Sequence, residues 1–66
     1  MKPQESHEVP IDEKAAAREL GLAVKTLQNL RWRRMGPPYL KIGKRVAYLP
    51  SDLRVYLESC RIVPEN

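Results

Sequence analysis

Two consecutive prolines, Pro37 and Pro38, divide the chain near its middle. Neither can donate a backbone hydrogen bond, and each disfavours helical backbone in the residue before it. A helix that precedes them must therefore end over Arg34, Met35 and Gly36, and the chain must continue in an extended path. This break predicts different kinds of structure on its two sides.

The N-terminal side has the pattern of two short helices. Asp12 can cap a helix that continues through an alanine-rich stretch, and Gly21 can end it because glycine readily takes positive φ. A second helix begins near Val24 after a turn of about three residues. The apolar spacing predicts one shared core, formed by Ala16, Leu20, Leu22, Leu27 and Leu30.

The C-terminal side alternates apolar and polar residues from 39 to 49, as a half-buried β-hairpin requires. A two-residue turn at Gly43-Lys44 suits type II′ geometry, but it sets Ile42 opposite Arg45 and splits the apolar residues between two faces. A three-residue turn over residues 43–45 keeps them on one face. We predict the three-residue turn, because a one-residue slip reverses every side chain. The predicted pairs are Ile42 with Val46 and Leu40 with Tyr48.

After the hairpin, Pro50 closes the strand and Ser51 is predicted to cap a last helix. The apolar stripe of this helix is Leu53, Tyr56, Leu57 and Cys60, and for Cys60 we expect plain helix packing. Residues 1–11 and 61–66 are predicted to be flexible tails, which leaves one domain over residues 12–60. The expected fold is α+β and mainly helical, with two helices, a two-stranded hairpin and a C-terminal helix.

A chain of 66 residues buries only a modest core, and domains of this size often add disulfides, a metal or a partner. The one cysteine, Cys60, cannot form an internal disulfide, and together with the one histidine, His7, it falls short of a structural zinc site. We therefore expect no metal, no cofactor and a reducing, intracellular compartment. No apolar segment approaches the roughly 18 residues of a membrane span.

Charge is distributed unevenly along the chain. Between Leu20 and Ser51 there are seven basic residues and no Asp or Glu, whereas the two flanks together hold five basic and eight acidic residues. The net charge of +4 therefore divides into +7 in the middle and −3 at the ends. A surface without a partner usually mixes the two signs, so a segment of one sign predicts a polyanionic partner.

The sequence has no pattern of an enzyme site. There is no glycine-rich phosphate loop and no Ser-His-Asp set, and the one histidine lies in the N-terminal segment. Two short helices joined by a tight turn are instead typical of a helix-turn-helix, whose second helix enters the major groove. We therefore expect a non-enzymatic protein that binds double-stranded DNA.

The stretch from Ala16 to Leu57 resembles the winged helix-turn-helix of phage and plasmid excisionases, a branch of the MerR-like superfamily. The matching residues are Ala16-Ala17, Leu20-Gly21, Lys25-Thr26-Leu27, Gly36-Pro37-Pro38-Tyr39, Lys41-Ile42-Gly43-Lys44-Arg45-Val46, Tyr48, Ser51-Asp52-Leu53 and Tyr56-Leu57. The resemblance implies that the helix from Lys25 to Arg33 reads the major groove. It also implies that residues 43–45 form the tip of a wing that reaches the backbone or the minor groove.

This chain departs from that family's pattern at two positions. Ala23 stands where Ser or Thr usually caps the recognition helix, so we expect the helix to start without a side-chain cap. Leu30 stands where Trp is common, and Trp32 follows two residues later. On an ideal helix Trp32 points away from the core stripe, yet near the helix end it could also fold under the wing and cover the core.

The candidate DNA contacts lie on the second helix and the hairpin. The amides of Gln28 and Asn29 suit paired bonds with adenine. Arg33 suits guanine O6 and N7, although arginines more often contact phosphate. Lys25 and Thr26 are expected to hold phosphate. The remaining candidates are Arg34, Lys41, Lys44 and Arg45.

Two basic residues in this region have an alternative role. Arg31 lies nearer the inner face of the second helix and is interpreted as an internal ion-pair or backbone partner. An outward Lys41 would equally protect a strand edge from aggregation.

The resemblance implies a recombination directionality factor, which binds beside attachment sites, bends or organises the DNA and directs an integrase towards excision. A short helix and a small wing read few base pairs, so we expect cooperative self-association on DNA. A small transcriptional regulator of the same fold and a protein-interaction adaptor with a basic face remain alternatives. The expected location is the cytoplasm of a prokaryotic host cell.

Overall fold

A computed structural model describes residues 8–65. In this range three helices accompany a three-stranded antiparallel sheet with strand order β1-β3-β2. The elements are β1 (Ile11–Asp12), α1 (Glu13–Leu20), α2 (Val24–Trp32), β2 (Leu40–Ile42), β3 (Arg45–Tyr48) and α3 (Pro50–Ser59). The predicted winged helix-turn-helix is confirmed, with one additional short strand.

Helix α1 is the centre of the fold, because it contacts α2, α3 and the sheet. Its ends lie where the sequence predicts them. The Asp12 side chain accepts a hydrogen bond of 2.8 Å from the backbone N–H of Ala15, and Gly21 ends the helix with φ of 72°. The N–H of Leu22 then donates to the carbonyl of Ala17 at 2.9 Å, which turns the chain tightly into α2.

The core consists of a few side chains contributed by every helix and by the central strand. Its buried members are Ala16, Ala17, Leu27, Tyr48 and Leu53, with Ile11, Leu20 and Val46 packed at its edge. The two alanines allow close approach of the neighbouring elements. Of the predicted shared core, Leu20, Leu22 and Leu30 are half-buried.

The hairpin has the two-residue turn, so the predicted register is wrong. Strand β2 pairs with β3 through Leu40 with Ala47, Lys41 with Val46 and Ile42 with Arg45. Gly43 has φ of 62°, the positive value that a type II′ turn needs at its first central residue. Local turn chemistry therefore outweighs the apolar alternation, and Ile42 is left about half exposed, at 52%.

The segment before α1 also differs from its predicted role as a flexible tail. Ile11 pairs with Tyr48 in the sheet, and the Glu8 carboxylate accepts hydrogen bonds from the backbone N–H and the hydroxyl of Ser51. Ser51 is consequently not the cap of α3; the helix begins after Leu49 with Pro50 in its first turn. Glu8 supplies the acceptor instead. Residues 1–7 of the predicted tail lie outside the described range.

Helix α3 buries only part of its predicted apolar stripe. Leu53 is buried and Tyr56 is half-buried, whereas Leu57 and Cys60 are exposed. The predicted packing role of Cys60 is therefore wrong, because the last turn of α3 extends beyond the elements that cover its start. Residues 61–65 follow without regular structure and are exposed.

Candidate nucleic-acid interface

The outward face of α2 is defined by its position opposite Leu27, which is fully buried. Lys25, Asn29 and Trp32 are spaced i, i+4 and i+7, so they lie on one face of the helix. All three are exposed. We call Lys25, Asn29 and Trp32 the outer stripe of α2. Two members of this stripe, Lys25 and Asn29, are predicted DNA contacts, and both are accessible to a partner.

The start of α2 carries two further features of the prediction. Thr26, in the first turn, is exposed. Ala23 is the N-cap and provides no side-chain hydrogen bond, as expected for a helix that lacks Ser or Thr there. Two predicted phosphate contacts, Lys25 and Thr26, thus lie together at the helix N-terminus.

Gln28 is placed differently from its neighbour Asn29. It is half-buried, and its Nε2 donates to Oε1 of Glu13 at 3.4 Å. Because an ionised carboxylate only accepts hydrogen bonds, the amide nitrogen is the atom that turns inward. Asn29 is therefore the more accessible of the two predicted base-reading amides.

The end of α2 presents two exposed arginines. Arg33 is the C-cap, and Arg34 follows with φ of 58°, the one non-glycine residue of the described range with positive φ. The N–H of Arg34 donates to the carbonyl of Arg31, and the N–H of Met35 donates to that of Leu30 at 2.9 Å. This is the double hydrogen bond that commonly ends a helix, here with arginine where glycine is usual.

The wing is the hairpin of β2 and β3, and its three predicted cations lie on different parts of it. Lys44 lies in the turn itself. Lys41 pairs with Val46 and so shares the sheet face of Val46, whereas Arg45 pairs with Ile42 on the opposite face. All three cations are exposed. The register therefore brings Lys41 and Arg45 to opposite sides of the hairpin.

A carboxylate of α1 joins α2 and the sheet beneath the outer stripe. Oε2 of Glu13 accepts from Nε of Arg31 at 2.9 Å and from the hydroxyl of Tyr48 at 3.2 Å. Sequence analysis predicts the internal ion-pair role of Arg31 but not its partner. We call these residues, together with Gln28, the Glu13 cluster.

The Glu13 cluster changes the titration of two of its members. The hydrogen bond to Glu13 raises the pKa of Arg31 above its ordinary value. Burial, and then the nearby charge of Glu13, raise the pKa of Tyr48 to about 12. Arg31 is therefore fixed as a cation and Tyr48 as a neutral donor at physiological pH.

Aromatic rings flank the guanidinium of Arg31. It lies 5.8 Å from the ring centroid of Trp32 and 5.7 Å from that of Tyr39, within the range of cation–π attraction. The Tyr39 ring in turn lies 6.2 Å from the ring of Tyr48. The ion pair to Glu13 thus orients an arginine that supports two aromatic side chains at the surface.

The remaining cations of the basic segment are available to a partner. Of its seven basic residues, Arg31 is paired with Glu13, and the other six have no salt bridge to a carboxylate of residues 8–65. The six are Lys25, Arg33, Arg34, Lys41, Lys44 and Arg45. They are the cationic candidates for contact with DNA, with Lys41 and Arg45 on opposite faces of the hairpin, and phosphate is the ligand that exposed cations favour.

Two other kinds of site are absent from the described part of the chain. No group of three or more His, Cys, Asp or Glu side chains in residues 8–65 could hold a metal ion. No helix in that range combines the length and the apolar character needed to cross a bilayer.

Comparison with known proteins identifies the family from residues 12–61, which match the family model described as a helix-turn-helix domain. The chain belongs to this helix-turn-helix family. The match spans α1, α2, the hairpin and α3, so the helix-turn-helix assigned from the geometry is a DNA-binding domain. Comparisons with curated proteins and with solved structures found no match.

Sequence analysis missed two components of this surface. The first is Glu13, in the first turn of α1: nothing local in the sequence shows that its carboxylate meets Arg31, 18 residues later. The second is Trp32, whose direction was left open. Its spacing of seven residues from Lys25 was the available signal that it belongs to the outer stripe.

Proposed function

We propose that this helix-turn-helix protein is an excisionase: it binds specific DNA beside attachment sites, organises that DNA, and directs a phage or plasmid integrase towards excision. The observation that supports it is the combination of an exposed outer stripe on α2 with exposed cations at the end of α2 and on the wing. Such a domain acts by binding and shaping DNA rather than by chemistry.

The roles of the residues follow from their placement. Asn29, exposed at the middle of the outer stripe, reads a base edge, whereas Gln28 contributes through the part of its amide that Glu13 leaves available. Lys25, Thr26, Arg33 and Arg34 hold phosphates at the two ends of α2. On the wing, Lys44 at the tip meets the backbone, with Lys41 and Arg45 on either side of it.

Self-association on DNA is part of the same proposal. One short helix and a two-residue turn contact few base pairs, and each base pair contributes only about 1 to 3 kcal/mol of discrimination. Several copies on adjacent sites would add their contributions. The proposal therefore places neighbouring copies side by side, with an integrase as the protein partner.

A recombination assay tests the proposal. Duplexes that the protein selects from a random pool define its site; recombination is then measured with the integrase encoded beside that site in the source DNA. We expect the protein to raise excision and lower integration, and we expect Lys25→Ala/Asn29→Ala to lose both effects. Val55→Ala, an exposed change on α3, is the matched control.

The same assay separates the excisionase from the alternative regulator. If recombination is unchanged while a promoter carrying the selected site is repressed or activated, the protein is a transcriptional regulator and the excisionase proposal is wrong. If no duplex is selected over random DNA, sequence-specific binding itself is contradicted.

A further inference from the structure

Trp32 is the single tryptophan of the chain and the last residue of α2. Its side chain is 60% exposed, although an indole in a small domain is normally used to enlarge the core. Trp32 therefore does not cover the core. Because tryptophan is enriched where proteins contact their partners, an exposed indole in a basic segment is a candidate contact residue.

The direction of Trp32 is set by the helix. As a member of the outer stripe it lies on the same face as Lys25 and Asn29, on the side of α2 away from Leu27. Two exposed arginines, Arg33 and Arg34, follow it directly. The indole thus shares the face of two candidate DNA contacts and directly precedes two more.

The indole is also held in position from beneath. The guanidinium of Arg31 lies 5.8 Å from its ring centroid, and Nε of Arg31 is fixed to Glu13 at 2.9 Å. A ring supported in this way loses less conformational freedom when it binds. Trp32 therefore has the position and the support of a contact residue.

We propose that Trp32 is a DNA-contact residue that packs its indole against apolar groups of the groove, namely thymine methyl groups or deoxyribose carbons. The proposal rests on the DNA-binding function proposed above. Charge complementarity favours duplex DNA over an apolar protein partner. The cations that flank Trp32 in the sequence lie in a segment, between positions 21 and 51, that contains no acidic residue, so a polyanion is the partner that complements it. Trp32 adds an apolar contact to an outer stripe whose other two members, Lys25 and Asn29, are charged or polar.

The single tryptophan makes a direct test feasible. A dye-labelled duplex carrying the selected site reports binding by its anisotropy, while indole emission and its quenching by acrylamide report on Trp32 in the same sample. We expect acrylamide quenching to fall when the duplex is bound and to recover when added salt releases the complex. Binding with unchanged quenching would overturn the proposal while leaving the DNA-binding function intact.

Variants extend the test to affinity. Trp32→Ala should weaken binding to the selected duplex about tenfold, Trp32→Phe should restore most of the loss, and the exposed α3 variant Val55→Ala should bind as the parent does. Replacing thymine by uracil in the site distinguishes the two sources of apolar contact. If Trp32 contacts a thymine methyl group, the parent binds the uracil duplex more weakly than the thymine duplex, whereas Trp32→Ala binds the two equally. If the change from thymine to uracil alters the affinities of the parent and of Trp32→Ala by the same factor, the contact is to deoxyribose. If Trp32→Ala binds the selected duplex as tightly as the parent does, the proposal is wrong. If the parent itself binds no duplex, the proposed DNA-binding function is wrong as well.

Discussion

The substitution Glu13→Ala tests whether the Glu13 cluster joins the recognition helix to the rest of the fold. It removes the acceptor for Arg31, Gln28 and the hydroxyl of Tyr48. Breaking a buried ion pair destabilises by about 3 to 5 kcal/mol. The side chains of Arg31 and Glu13 are 17% and 14% exposed, so solvent screens part of the loss. We expect the free energy of unfolding to fall by about 2 to 3 kcal/mol.

Urea unfolding followed by far-UV circular dichroism measures this loss. A domain of this size has about 3 to 5 kcal/mol of stability in total, so the variant should retain about 0 to 3 kcal/mol and unfold at a clearly lower urea concentration than the parent. Glu13→Gln, which keeps the shape and one acceptor oxygen, should be less affected. The matched control is Glu58→Ala, whose ion pair with Arg61 is 69% and 66% exposed and should contribute less than about 0.5 kcal/mol.

The comparison of the two variants decides the outcome. If Glu13→Ala lowers the free energy of unfolding no more than Glu58→Ala does, the reasoning about the Glu13 cluster is refuted. A double-mutant cycle with Arg31→Met separates the ion pair from the other hydrogen bonds, because residues in direct contact do not contribute additively.

Three further predictions follow from the ends of helices and from Tyr48. Glu8→Gln should lower the free energy of unfolding by about 1 kcal/mol, because the anionic acceptor for Ser51 at the start of α3 is lost. Arg34→Gly should raise it by about 0.5 to 1 kcal/mol, by relieving the positive φ, and yet weaken DNA binding by removing a cation. The pKa of Tyr48 is raised to about 12 from an ordinary 10, so its contribution is complete below pH 10 and is lost as pH rises through 12.

Each of these has a measurement that can contradict it. If Glu8→Gln has the same urea midpoint of unfolding as the parent, the N-terminal segment does not stabilise α3. Equal stability of Arg34→Gly and the parent would show that the positive φ carries no strain, and undiminished DNA affinity would remove Arg34 from the interface. Alkaline unfolding between pH 10 and 12 that persists unchanged in Tyr48→Phe would assign it to other groups.

The features predicted correctly depend on neighbouring residues. Asp12 and Gly21 bound α1 through hydrogen bonds and φ values that involve residues within one turn, and Pro37 excludes helix by its own ring. The same holds for the exposed polar residues of α2, because helical spacing alone separates Asn29 from the buried Leu27. Local chemistry therefore predicts the fold class and the exposure of most candidate contacts, whereas their binding to DNA stays a prediction.

The features that were missed depend on residues far apart in sequence. The predicted hairpin register considers one apolar face, but the other face is partly covered as well: Pro10 and Ile11, from the segment predicted to be a tail, line a groove beside Ala47. Likewise Glu8 and Ser51 are 43 residues apart. A strand of two residues has too little pattern to be recognised before its partner is known.

The salt dependence of binding tests the central claim most directly, namely that the outer stripe of α2 and the wing cations dock on duplex DNA. With about five phosphates contacted, the logarithm of the association constant should fall against the logarithm of salt concentration with a slope near −4 to −5. The double variant Lys44→Ala/Arg45→Ala loses two of these contacts, so its slope should be less negative than that of the parent by about two. A flat dependence for the parent, or the same slope for the variant, would contradict the account.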